Sequence, residues 1–91
     1  MKFEWDSTKA ATNRRKHGIS FEEAETVFSD PNAIEFYDAE HSDDEDREII
    51  IGFSNKLRLL LVIYTERHGD TIRIISARKA NATEKREYQS G

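Results

Sequence analysis

Leu57-Arg58-Leu59-Leu60-Leu61-Val62-Ile63-Tyr64-Thr65, then His68-Gly69-Asp70, then Thr71-Ile72-Arg73-Ile74-Ile75-Ser76-Ala77-Arg78 is the stretch that decides the fold of this 91-residue chain. The first run is apolar on both strand parities, with Leu57, Leu59, Leu61 and Ile63 on one and Leu60, Val62 and Tyr64 on the other. A strand without a polar face belongs in the middle of a sheet. The polar break at His68-Gly69-Asp70 turns the chain, so the second run returns as a hairpin. Arg67 and Arg78 then stand at opposite ends of the ladder. The returning strand carries Arg73 and Arg78, with Lys79 next. Two-residue alternation groups Arg73 with Ile75 and Ala77, and Arg78 with Ile72, Ile74 and Ser76, so the arginines need not share a face.

Working outward, Lys2–Trp5 alternates polar and aromatic residues and reads as a short strand. Asp6 caps a helix through Ser7–His17, and Gly18 supplies its left-handed stop. The apolar stripe of that helix is thin, only Ala10 and Ala11, so most of its surface faces water or a charged partner. Ser20 with Glu23 is a capping box, and Ile19 with Ala24 a hydrophobic staple. They start a second helix over about Phe21–Phe28, which Asp30-Pro31 ends. Ala33–Asp38 and Glu48–Phe53 read as strands, and Glu40–Asp46 as a charged loop. Asn81 with Glu84 opens a last helix to about Gln89. The order is β-α-α-β-β-β-β-α. Helices grouped around a run of strands indicate an α+β domain with a mostly antiparallel sheet.

The length suits one domain, residues 1–91, which buries about 60% of its unfolded surface. There is no cysteine, which excludes a disulfide framework and a cysteine-based zinc site. No apolar run reaches membrane-spanning length, and the start lacks the apolar region of a signal peptide. A soluble, cytoplasmic protein with no membrane contact is the expectation.

The formal charge of −4 is unevenly spread. Residues 1–20 carry five bases against two acids, residues 21–48 carry twelve acids against Arg47 alone, and residues 49–91 carry eight bases against four acids. Two basic segments thus flank an acidic one. If the fold joins the ends, a basic face results, and local patches govern the attraction of a polyanion.

Arginine carries a rigid fork of donors suited to phosphate or carboxylate. Arg73 and Arg78 therefore read either as an anion site or as partners of the chain's many carboxylates. His41, Asp43, Asp44 and Asp46 invite a metal reading, but their spacing lacks the turn glycine and closing glutamate of an EF-hand. His17 ends a helix, where the dipole favours a cation, and Lys16 stands beside it as a phosphate contact. No serine or cysteine pairs with a histidine at a known spacing, and no glycine-rich phosphate loop is present. Tyr64 and Tyr88 can stack on bases or serve as core and rim aromatics. RNA cleavage through its own 2′-OH needs charge stabilisation and proton carriers and no metal, which these residue types supply.

Phe3-x-Trp5-Asp6, Lys9, Asn13, Lys16-His17-Gly18-x-Ser20-Phe21-x-x-Ala24, Phe28-x-Asp30-Pro31, Asp46-Arg47, Gly52, Tyr64-Thr65-x-Arg67, Arg73-Ile74-Ile75-Ser76-Ala77-Arg78 and Glu84-x-x-x-Tyr88 together resemble the BrnT family of toxins. The resemblance spans residues 3–88. It implies a RelE-like fold, with a curved sheet and helices packed on it, and metal-independent endoribonuclease activity without a cofactor. It also implies a ribbon-helix-helix antitoxin (BrnA-like) that alone brings the complex to DNA, and a homodimer or a toxin–antitoxin heterotetramer. Carried over by position, the catalytic set is Arg67, Arg78, His17, Tyr88, Lys9 and Glu66. Arg67 and Arg78 would bind phosphate, with His17 or Tyr88 as proton carrier. Lys16, Arg73 and Lys79 would bind RNA. The acidic segment is expected to lie away from the active groove. Two other readings use the same residues: a non-catalytic module binding RNA or protein through the basic surface, and a metal-dependent nuclease built on Asp43 and Asp44.

Overall fold

The computed structural model describes residues 1–41 and 45–91. The chain runs β1 (Lys2–Glu4), α1 (Ser7–His17), α2 (Phe21–Thr26) with a 3₁₀ turn at Val27–Ser29, β2 (Ile34–Tyr37), β3 (Glu48–Phe53), β4 (Leu59–Arg67), β5 (Thr71–Lys79) and α3 (Ala82–Ser90). This is the expected α+β order. The strands form one sheet in the order β1-β5-β4-β3-β2, antiparallel except for β1 against β5. β4 is the central strand, as its two-sided apolar pattern requires.

Leu60, Val62 and Tyr64 of β4 face Ile50 of β3 and Ile72, Ile74 and Ala77 of β5. Ile19, Phe21, Ala24 and Val27, from the α1–α2 turn and α2 onward, close over them. Phe28 stands edge-on to Phe3 at 5.2 Å and to Tyr64 at 5.0 Å. Burial of each large aliphatic side chain contributes about 1.5–3 kcal/mol, so this face supplies most of the stability. On the other face Ile51 and Leu61 are also buried. α3 itself contains no buried residue. It is held by the Arg78–Glu84 ion pair, by Tyr88 donating to Asp30 Oδ2 at 2.7 Å, and by Tyr88 against Phe53 at 5.4 Å.

The helix signals act as expected with one exception. Asp6 Oδ1 accepts from the amides of Thr8 (2.8 Å) and Lys9 (3.1 Å), and Gly18 takes φ 71. Asn81 and Glu84 form a complete capping box. At α2 the box is half made. Ser20 Oγ accepts from the Glu23 amide, but the Glu23 carboxylate turns to Arg58 and Ser54. Glu23 is 3% exposed, and a buried carboxylate gains more from a guanidinium than from a neutral amide. β4 begins at Leu59, because Leu57 takes φ 59 in the turn that closes with Ser54 N–H donating to Arg58 O at 2.9 Å.

The parity of β5 departs from the sequence reading. Ile63 pairs with Ser76 and Tyr64 with Ile74, so Ile75 is an extra residue, a β-bulge. Alternation restarts beyond it. Ile72, Ile74 and Ala77 all enter the core, while Arg73, Ser76 and Arg78 share the opposite face, across from Thr65, Ile63 and Leu61. The two arginines that simple alternation separates are brought to one side.

Candidate nucleic-acid interface

α1 lies against β5 and is locked there by Asn13. Its side-chain amide donates to Ala77 O (2.9 Å) and Ile19 O (2.9 Å), and its Oδ1 accepts from Ala77 N–H (3.0 Å). The side chain therefore satisfies the edge of β5 as a neighbouring strand would. Beside it runs a groove of about 240 Å³ lined by Thr8, Lys9, Thr12, Asn13, Lys16, His17, Ile75 and Ser76. Lys9 and Lys16 are two helical turns apart, so they line one side together. Three of the predicted site residues, Lys9, Lys16 and His17, thus meet at the bulge of β5. All three are exposed.

Arg78 lies two residues beyond Ser76 on the same face of β5. Glu84 takes its Nη1 and Nη2 at 2.8 and 2.7 Å, and Lys79 O accepts from Nη1 at 3.2 Å. That leaves the Nε–Nη2 edge of the guanidinium, the second edge able to hold a phosphate in two-point contact. The Arg78 side chain is 40% exposed. Arg78 holds the Glu84 carboxyl below its usual range, against the opposing effect of burial. Arg73 pairs with Glu4 at 3.0 Å, and Lys79 is exposed at the end of β5.

Arg67 lies elsewhere. It pairs with Thr71 in the ladder while Arg78 pairs with Leu61, so six residues of β4, about 20 Å, separate them. The sequence reading of opposite ends holds. Arg67 Nη2 donates to Glu45 Oε2 at 2.9 Å, and among the described residues its buried Nε has no acceptor. The cavity there, about 450 Å³, is lined by Glu45, Asp46, Glu48, Thr65, Glu66 and Arg67. Burial, with Glu66 and Glu35 nearby, pushes the Glu48 carboxyl up. Tyr64 donates to Glu35 at 2.7 Å, and burial with that bond raises its phenol far above the ordinary range. The expected separation of the acidic segment from the predicted residues fails at this end, because the ladder extends past β3 and sets Glu45 beside Arg67.

Tyr88 lies one helical turn beyond Glu84 on α3. Its hydroxyl is given to Asp30, which raises its pKa. Asp30 Oδ2 also accepts from the Phe53 amide at 2.8 Å, and its Oδ1 from the Asn32 amide at 2.9 Å. Four ion pairs join an arginine to a glutamate: Arg58–Glu23, Arg67–Glu45, Arg73–Glu4 and Arg78–Glu84. The carboxylate-partner reading of Arg73 and Arg78 therefore describes their contacts. Sequence reasoning overlooked Asn13 and Asp30 as organisers. The adjacent Ile74 and Ile75, which break alternation, were the available signal for the bulge.

Among the described residues no group of three or more His, Cys, Asp or Glu is placed to hold a metal ion. Asp43 and Asp44, on which a metal-dependent reading rests, lie outside the described residues. Among the described residues no helix is long and apolar enough to cross a membrane.

Residues 5–84 match the family model of the ribonuclease toxin BrnT of type II toxin–antitoxin systems. The fold is similar to the crystal structure of the Brucella abortus ribonuclease toxin BrnT, with 30% sequence identity and a TM-score of 0.69. That alignment covers 89% of this chain and 97% of the Brucella chain. Among curated protein sequences none matches significantly.

Proposed function

Since the chain belongs to the BrnT family of ribonuclease toxins of type II toxin–antitoxin systems, we propose that it cleaves RNA without a metal ion along the wall formed by β5 and α1. The observation that supports this is the bulge at Ile75, which puts Arg73 and Arg78 on the same face of β5 as Ser76, and Ser76 lines the groove of Lys9, Lys16 and His17. A phosphate in contact with the free Nε–Nη2 edge of Arg78 would lie on that wall, with Lys9, Lys16, Arg73 and Lys79 holding the flanking phosphates. The RNA 2′-OH gives up its proton to water and attacks the adjacent phosphorus, the bond to the 5′-oxygen breaks, and a 2′,3′-cyclic phosphate forms. Arg78 stabilises the added charge on phosphorus. His17 protonates the departing 5′-oxygen. Tyr88, with its proton committed to Asp30, fits that role less well. Arg67 and Glu66, about 20 Å away in an acidic hollow, are too distant to touch the same phosphate, so we leave them outside the RNA track. In this reading the chain acts in the cytoplasm. A ribbon-helix-helix antitoxin neutralises it and provides its contact with DNA, in a heterotetramer.

The test is cleavage of a defined RNA by purified, partner-free protein in EDTA. The parent should cut. Arg78→Ala should lose about 10²–10³-fold in turnover, the scale of one transition-state donor, while RNA affinity drops only severalfold. RNA left intact by the parent sinks the ribonuclease reading. The pairing of Arg58, Arg67, Arg73 and Arg78 with glutamates favours the alternative, a non-catalytic module, and equal loss of binding by Arg78→Ala without cleavage in the parent would support it.

A further inference from the structure

β2 ends the sheet, and among the described residues no strand pairs its outer side. Asp38 N–H donates to Arg47 O at 2.8 Å, which identifies that pair as hydrogen-bonded. In an antiparallel ladder such pairs recur every second residue. The amides and carbonyls of Ile34 and Phe36 therefore face β3, and those of Glu35 and Tyr37 face outward. Glu35, Phe36 and Tyr37 are all exposed, Phe36 by 41% and Tyr37 by 57%. Four backbone hydrogen-bonding groups stand ready on a strand whose two faces differ. Ile34 and Phe36 point to the α3 side, where an apolar groove of about 500 Å³ runs on toward Thr83, Arg86 and Ser90. Glu35 and Tyr37 point to the side of Glu48.

From this geometry we infer that the β2 edge docks an extended segment of the antitoxin that reads apolar on one face and Lys or Arg on the other. The inference rests on the family reading that an antitoxin exists. A strand laid along β2 takes its two backbone amides and two carbonyls, as in strand addition generally. Its apolar residues continue the Ile34–Phe36 row into the groove. Its basic residues sit beside Glu35, in the part of the chain that carries twelve acids and one base. The same charge repels RNA. It also disfavours a second copy of this chain, because two β2 edges would bring Glu35 near Glu35.

The probe is a ten-residue peptide alternating lysine and valine, compared with a peptide of the same composition in which the lysines and valines are segregated into two blocks. Binding should be saturable for the alternating peptide, and its addition should slow hydrogen exchange at the amides of Glu35 and Tyr37. Exchange at Ile34 and Phe36, already paired to β3, should stay as it was. Tyr37→Pro, which removes an outward amide, and Phe36→Asp, which breaks the apolar row, should each weaken binding about tenfold or more. Both should keep the parental rate of RNA cleavage, measured in parallel. Equal binding of the two peptides, unprotected Glu35 and Tyr37 amides, or competition between peptide and RNA would overturn the docking site. Loss of cleavage in the parent protein would strike the ribonuclease reading and leave the exchange result standing.

Discussion

The two ends of the β4–β5 hairpin carry the same device, an arginine on a glutamate, in opposite settings. At one end Arg78 is gripped at two points by Glu84, which itself is fixed by the α3 capping box; it shares its strand with Arg73 and Lys79 and its face with Ser76, which lines the groove of Lys9 and Lys16. At the other end Arg67 makes one bond to a half-buried Glu45 among Asp46, Glu48 and Glu66. The difference teaches that an arginine's surroundings, more than its pairing, decide whether a polyanion can approach. Neutralising Arg78 with Glu84 leaves a basic wall, whereas neutralising Arg67 with Glu45 leaves an acidic hollow.

The harshest way to break this contrast is to truncate the two arginines: Arg78→Ala should lose about 10²–10³-fold in turnover while Arg67→Ala loses less than about tenfold in the same assay. Equal losses would erase the distinction between the ends. Asn13→Ala should lower stability by about 2–4 kcal/mol in urea, because the Ala77 amide and carbonyl lose their partner inside the structure.

Acid sharpens the comparison further. Glu84 is held below the ordinary glutamate value of 4.5 by Arg78, so its contribution is complete above that value and is lost as pH falls through the depressed folded pKa. Glu84→Gln should therefore cost about 1 kcal/mol in melts at pH 7, with the gap to the parent closing below pH 4.5. Glu48 runs the other way. Its carboxyl is raised above the ordinary value of 4.5, so its ionisation disfavours the fold at neutral pH. Glu48→Gln should give a small rise in melting temperature at pH 7 that disappears once the pH drops below 4.5 and both states are protonated.

The sequence disclosed the element order because its signals were local. Asp6, Gly18 and Asn81 cap or stop helices within a few residues, and the two-sided apolar run of β4 permits one place in the sheet. What it hid depends on contacts between distant residues. Asn13 and Ala77 are 64 positions apart, and Tyr88 and Asp30 are 58 apart. Glu23 looked like a cap for its own helix because nothing local reveals Arg58. For the candidate site, Lys9, Lys16 and His17 were legible as one helix surface. Their alignment with Arg78 was not, because it turns on a one-residue shift in β5 that strict alternation cannot express.

Asn13 has a consequence for how this sheet can grow. By meeting both backbone groups of Ala77 from the side, one amide closes the stretch of β5 that β1 leaves uncovered, and on that flank only the three-residue β1 remains. The sheet thus has a short end and a long one. A copy of the chain that docked at β2 would offer only the short β1 beyond it, so the sheet is poorly built to propagate into a filament.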